Sequence, residues 1–166
     1  MLKNRILKKL TVVAIICALF FSTFVFSANA HYYAGGYSLY SITYRIVDSA
    51  GEDVWEEAAQ NWVDAVGTGF RQSAYSLNQA HYGDLAYEWF GLYSPNDTPA
   101  TYFHVYVNTQ SIDDFADCDG HETECEISTA THEFGHAQFL ADIISGYGNR
   151  SIMSYERDRT TILTPQ

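Results

Sequence analysis

The chain reads as an α+β domain with helices packed on a mixed, twisted sheet, and three observations predict this. Segments of strand and helix character follow one another as strand, helix, strands, helix. Tryptophan and alanine recur at helical spacing in the first helical segment. A cluster of histidine, glutamate and aspartate, HEFGHAQFLAD from His132 to Asp142, begins inside the second.

The first thirty residues stand apart. MLKNRILKKL carries Lys3, Arg5, Lys8 and Lys9, an apolar run extends from Leu10 to Phe26, and SANA offers a small-x-small cleavage site after Ala30. This is the pattern of a secretory signal peptide, so residues 1–30 are set aside and 31–166 are read as one domain. An uncleaved anchor is the competing reading, because the run is at the low edge of spanning length. Setting 30 of 166 residues aside leaves 136, enough for one core and not for two.

Four of nine basic residues and none of twenty acidic ones leave with the signal, so the mature chain carries a net charge of −15. A surface this acidic argues against nucleic acid, whose phosphates need clustered Lys and Arg. It suits calcium or basic peptide partners. The expected product is secreted, free of the membrane after cleavage, and a monomer.

Residues 37–47, YSLYSITYRIV, have the aromatic and β-branched content of a strand. Ser49 and Glu52 form a capping box, and Trp55, Ala58, Ala59, Trp62 and Val66 fall on one face, which predicts a helix over about 52–66. Strand-like runs at 85–93 and 101–107 flank the turn sequence SPNDTP. Residues 111–126 read as an acidic loop, about 127–140 as the second helix, and the remainder as irregular.

Cys17 lies in the signal, which leaves Cys118 and Cys125. Seven apart on a polar loop in an oxidising compartment, they most simply form one local disulfide. Asp113, Asp114, Asp117 and Asp119 surround Cys118, and Gly120 permits a tight turn. Such a loop could give Ca2+ several of its oxygens, against the plainer reading of a solvated acidic loop. His31, the expected mature N-terminus, could chelate copper, but nothing nearby completes such a site. His81, His104 and His121 read as surface, strand and loop residues, with a second structural zinc as the alternative.

The central cluster carries the chemistry. On a helix, His132 and His136 are separated by roughly 40° around the axis and roughly 6 Å along it, so both imidazoles can face one ion. Zinc accepts neutral imidazole nitrogens and, in catalytic sites, keeps a position open for water. Glu133, beside the first ligand, can take a proton from that water. Accident alone gives the two-histidine pattern in roughly one sequence in a hundred of this composition.

The third ligand needs the helix to end. Continued to Asp142, the helix would carry that residue about 15 Å from His132, so the chain must break after about Leu140 and fold back. Glu156, twenty residues past His136, is the competing third ligand, but the intervening ISGYGNRSI has turn composition and not that of another long helix.

These residues resemble the metzincin metalloproteases, whose pattern is HExxHxxGxxH or HExxHxxGxxD followed by a methionine turn. His132, Glu133, His136 and Asp142 match the aspartate form and SIMSY at 151–155 looks like the turn, with Met153 close behind Asp142 as in the snapalysin type. Bacterial matrixin-like proteases are similar too. The resemblance implies a zincin catalytic domain with an active-site helix and a short C-terminal subdomain. It implies an apolar floor from Met153 and an oxyanion or metal contact from Tyr155. Phe139 stands where the family has the glycine that leaves the helix left-handed, at a cost of roughly 1 to 2 kcal/mol for a bulky residue. The chain also stops where relatives would enter a C-terminal helix.

The function this implies is a secreted zinc endopeptidase that takes polypeptide substrate along an edge strand near 85–93, with Glu133 as the base. The alternative is a catalytically impaired binding module that keeps the metal site. Phe139 and the short C-terminus favour the alternative, and the intact Glu133 favours the enzyme.

Overall fold

The computed structural model describes residues 32–67, 69–143 and 151–154. The expected signal segment, His31, Tyr155, Glu156 and the end of the chain lie outside these.

A five-stranded mixed sheet, ordered β2-β1-β3-β5-β4, forms the frame. Its strands are β1 (Ile42–Ile46), β2 (Phe70–Gln72), β3 (Gln79–Gly83), β4 (Gly91–Pro95) and β5 (Phe103–Asn108). The β2, β1, β3 and β5 neighbours pair in parallel, and β4 closes one edge antiparallel to β5, with Tyr93 opposite Val105. The α-helices are α1 (Glu52–Val66), α2 (Thr109–Asp113) and α3 (Glu122–Ala137).

Alternation along the strands sends Ile42, Tyr44, Ala80, Phe103, Val105 and Val107 to one face, where they are buried. Against them α1 presents Val54, Trp55, Ala58, Ala59 and Trp62. The α3 ring of Phe134, fully buried, lies 5.1 Å from the rings of Tyr44 and Trp55 and 4.5 Å from that of Phe70. Burying such a ring is worth about 1.5 to 3 kcal/mol. Trp62 Nε1 donates to the Thr131 carbonyl at 2.8 Å, which fixes α1 against the site helix.

Several boundaries differ from the sequence expectation. The first strand begins at Ile42 because Tyr37 and Ser38 both donate their backbone N–H to the Ala137 carbonyl instead of to a ladder. The helix over Glu52–Val66 forms as expected, but the capping box does not. Ser49–Gly51 is a 3-10 turn, so Gly51 becomes the N-cap and no side chain caps it. Residues 85–90 are not a strand, because their backbone bonds to Asn108: its Oδ1 accepts from Leu85 N, and its Nδ2 donates to the carbonyls of Tyr87 and Trp89.

The acidic loop is also more ordered than its composition suggested. It contains the end of α2, a 3-10 turn at Ala116–Cys118 and the first turn of α3. Glu122 and Glu124 sit in that first turn, where carboxylates complement the helix dipole. Cys118 and Cys125 form the expected disulfide, with Cα atoms 6.1 Å apart. Among the described residues no helix is long and apolar enough to cross a membrane.

Candidate metal centre

Helix α3 is buried nearly all round at its C-terminal half, and His132, Glu133 and His136 are at most 9% exposed. The helix stops at Ala137 through a left-handed turn. Phe139 N donates to the His136 carbonyl at 3.1 Å and Leu140 N to the Gly135 carbonyl at 3.1 Å, the paired bonds of a Schellman cap. Phe139 itself takes the left-handed conformation, with φ of 65°. The helix therefore ends at Ala137, three residues before the expected break after about Leu140, and the bulky Phe139 bears the strain of the left-handed turn.

The reversal brings Asp142 back over the helix. Its Oδ1 lies 3.0 Å from His132 Nε2 and 3.6 Å from His136 Nε2. One ligand atom from each of the three residues falls within 4.8 Å of the others. Three donors at tetrahedral corners around a zinc ion would be about 3.3 Å apart, so the observed spacing is of the right size.

The second nitrogens decide the protonation. His132 Nδ1 donates to the Ile152 carbonyl and His136 Nδ1 to the Leu140 carbonyl, both at 2.8 Å. A carbonyl can only accept, so in the neutral rings the proton is on Nδ1 and the Nε2 lone pairs turn toward Asp142. Two lone pairs and a carboxylate oxygen repel one another unless positive charge lies among them. The donor set thus fits a divalent cation, and the backbone acceptors are the outer-shell partners that orient metal-binding histidines.

Met153 is buried, with its Sδ against Gly135, where a Cβ would collide with it. Ile143 N donates to the Met153 carbonyl at 2.8 Å, which ties the Asp142 segment to the 151–154 turn. Tyr155 and Glu156 lie outside the described residues. Glu133, also buried, rests against Gly91 at the start of the edge strand β4, as does the Thr129 methyl group. A divalent ion here would polarise a bound water, and Glu133 is the adjacent carboxylate able to accept a proton.

Other expected ligands do not converge. Among the described residues, His132, His136 and Asp142 are the single group able to hold a metal, so neither the aspartates around Cys118 nor His81, His104 and His121 form a second one. His81 and His104 instead lie side by side on the outer sheet face, their rings tilted and 5.3 Å apart, and burial lowers the pKa of both. A separate cleft of about 430 Å³, lined by Tyr87, Glu88, Phe90, Gln110, Asp114 and Phe115, touches none of the metal-centre residues.

Two contacts at the centre were not foreseen. Tyr33 packs its ring 5.3 Å from that of His136, and Gly91 leaves room for Glu133. Neither carries a local signal, since both arise from long-range pairing; a lone glycine at the head of a strand was the one available hint for the second.

No family model matches this sequence, and no curated protein matches it. The chain is similar to one in a solved structure titled "GM1 bound form of the ECX AB5 holotoxin", with a TM-score of 0.57 at 15% identity over 78% of this chain and 76% of that one. At that identity the likeness concerns the fold alone. It corrects the metzincin resemblance and the endopeptidase function and polypeptide substrate drawn from it, because the similar solved structure is titled as a toxin's. The physical reason is that the motif covers a short stretch around one helix end. It specifies donors and a turn, while the rest of the domain and its reaction lie outside what those residues dictate.

Proposed function

We propose that this chain is a metal-holding binding module, secreted and built on a fold shared with a holotoxin chain. His132, His136 and Asp142 hold one divalent ion, with zinc favoured by two imidazoles and a carboxylate. The observation that carries the reading is the pair of Nδ1–carbonyl bonds, which aim both Nε2 lone pairs at one carboxylate oxygen. The disulfide accords with an oxidising compartment.

By analogy with the holotoxin, the module works within an assembly and meets a glycan. The cleft beside α2 supports that role, because Tyr87 and Phe115 supply ring faces while Glu88, Gln110 and Asp114 supply polar groups for hydroxyls. Ca2+ has no converging group among the described residues to support it.

The test is zinc content and thermal midpoint of the mature chain and of Asp142→Ala, together with casein hydrolysis by the wild type and Glu133→Ala. One zinc per wild-type chain, a chelator-sensitive midpoint, loss of both in Asp142→Ala and no hydrolysis support the proposal. Casein cleavage that disappears in Glu133→Ala would overturn the binding-only role, and absence of zinc from the wild type would overturn the metal centre. Titration with the free GM1 oligosaccharide, followed by the spectra of the cleft residues, tests the glycan part; unchanged spectra would remove it.

A further inference from the structure

The segment ahead of β1 runs across the C-terminal end of α3 and is tied down on two sides. On the helix side, Tyr32 and Leu140 form an antiparallel bridge and Tyr33 N donates to the Phe139 carbonyl at 2.8 Å. Tyr37 N and Ser38 N share the Ala137 carbonyl at 2.8 and 3.0 Å, and the Tyr32 ring stacks on Phe139 with centroids 5.4 Å apart. On the sheet side, Tyr93 Oη donates to the Gly35 carbonyl at 3.0 Å, and Ala100 N donates to the Gly36 carbonyl at 3.0 Å. Gly36 passes so close to the Phe139 ring that a Cβ there would collide with it.

This strap delivers one side chain to the centre. The Tyr33 ring sits between that of His136, at 5.3 Å, and that of Tyr93, at 5.8 Å. Among the described residues Tyr93 also places a phenol ring near His136, at 5.9 Å, but its hydroxyl is committed to the strap. Two imidazoles and one carboxylate leave a tetrahedral ion with a further position, and a phenol oxygen is a suitable donor for it.

We propose that Tyr33 belongs to the metal centre, its phenol oxygen carried to the ion by the strap of residues 32–38 as a fourth protein group beside His132, His136 and Asp142. The inference rests on the triad holding a metal. In this step the phenol O–H bond breaks, an oxygen–metal bond forms, and the proton passes to water; nothing is oxidised or reduced. The centre is then closed by a segment near the expected mature N-terminus, and anything that lifts the strap exposes the ion.

The test uses copper(II) as the probe, because a phenolate bound to copper(II) absorbs visible light by charge transfer and a bound imidazole or carboxylate does not give that band. The mature chain carries His31→Ala throughout, which removes a terminal copper chelate. Copper content and visible spectra are measured for this background, for added Tyr33→Phe and for added Tyr155→Phe. The expected result is equal copper in all three, with the band present in the background and in Tyr155→Phe and lost in Tyr33→Phe. A band that survives in Tyr33→Phe, one lost in Tyr155→Phe, or bound copper with no band overturns this inference and leaves the triad standing. No copper in the background protein removes the triad and the inference together.

Discussion

His136 Nδ1 lies 2.8 Å from the carbonyl oxygen of Leu140, the residue just past the left-handed Phe139. One backbone turn therefore ends the helix, orients an imidazole and sends Asp142 back toward it. At position 139, replacement by Gly or Ala loses the ring stacked on Tyr32 in either case, but only Gly relieves the positive φ. Phe139→Gly is expected to be more stable than Phe139→Ala by about 1 kcal/mol in urea unfolding. The reverse order would show that the turn does not hold this conformation in solution.

The contact between Gly135 and Met153 yields a second prediction. A Cβ at Gly135 would collide with Met153 Sδ and come within 3.2 Å of Trp62 Cζ2, in a region with no slack. Gly135→Ala is expected to cost about 1 to 3 kcal/mol as overpacking. Adding Met153→Ala to the same chain should recover part of that loss, a coupling that denaturation of the four proteins in the cycle would measure.

Tyr82 Oη donates to Glu126 Oε1 at 2.8 Å. Burial raises the Glu126 pKa above its ordinary 4.5, with Asp113 and Glu122 adding to the rise and the Tyr82 bond opposing it. The folded state thus holds this proton more tightly than the unfolded one. The resulting stabilisation is full below about 4.5 and is lost as pH rises through the folded value. Glu126→Gln keeps the acceptor and removes the charge. It is expected to stabilise the protein at pH 7, with the gain fading toward pH 4 in thermal melts; a gain independent of pH would refute the titration.

Asn108 is fully buried at the end of β5. Its Nδ2 donates to the carbonyls of Tyr87 and Trp89 and contacts Ser111 Oγ at 2.9 Å, and its Oδ1 accepts from Leu85 N. Asn108→Ala would leave the half-buried Leu85 N–H and Trp89 carbonyl without this partner, while Tyr87 keeps Ser111 Oγ, and a loss of about 1 to 3 kcal/mol is expected in chemical denaturation. Hydrogen exchange should quicken first at Leu85.

Those Asn108 bonds also explain where the sequence misled. Residues 85–93 have strand composition, yet a single amide side chain captures the first part of the run and strand pairing resumes only at Gly91. QAHYG at 79–83 carries little alternation, and its place between β1 and β5 is decided by partners distant in sequence. Helix α1 was legible to its ends because its tryptophan face has a clear 3.6-residue period. At the metal centre, the reach of His132 and His136 follows from helix geometry, and the need for a reversal before Asp142 follows from the same arithmetic. Tyr33 was invisible because its approach depends on how a strap docks across a helix end. The functional name was the least secure inference, since a ligand motif constrains a few donors and leaves the task of the whole domain undetermined.

Gly91 starts the edge strand with the Glu133 carboxylate resting on it, close enough to exclude a Cβ. The spacing between sheet rim and site helix is therefore set to the width of a bare backbone. At this position even one added methyl group must push the strand outward or swing the acid aside.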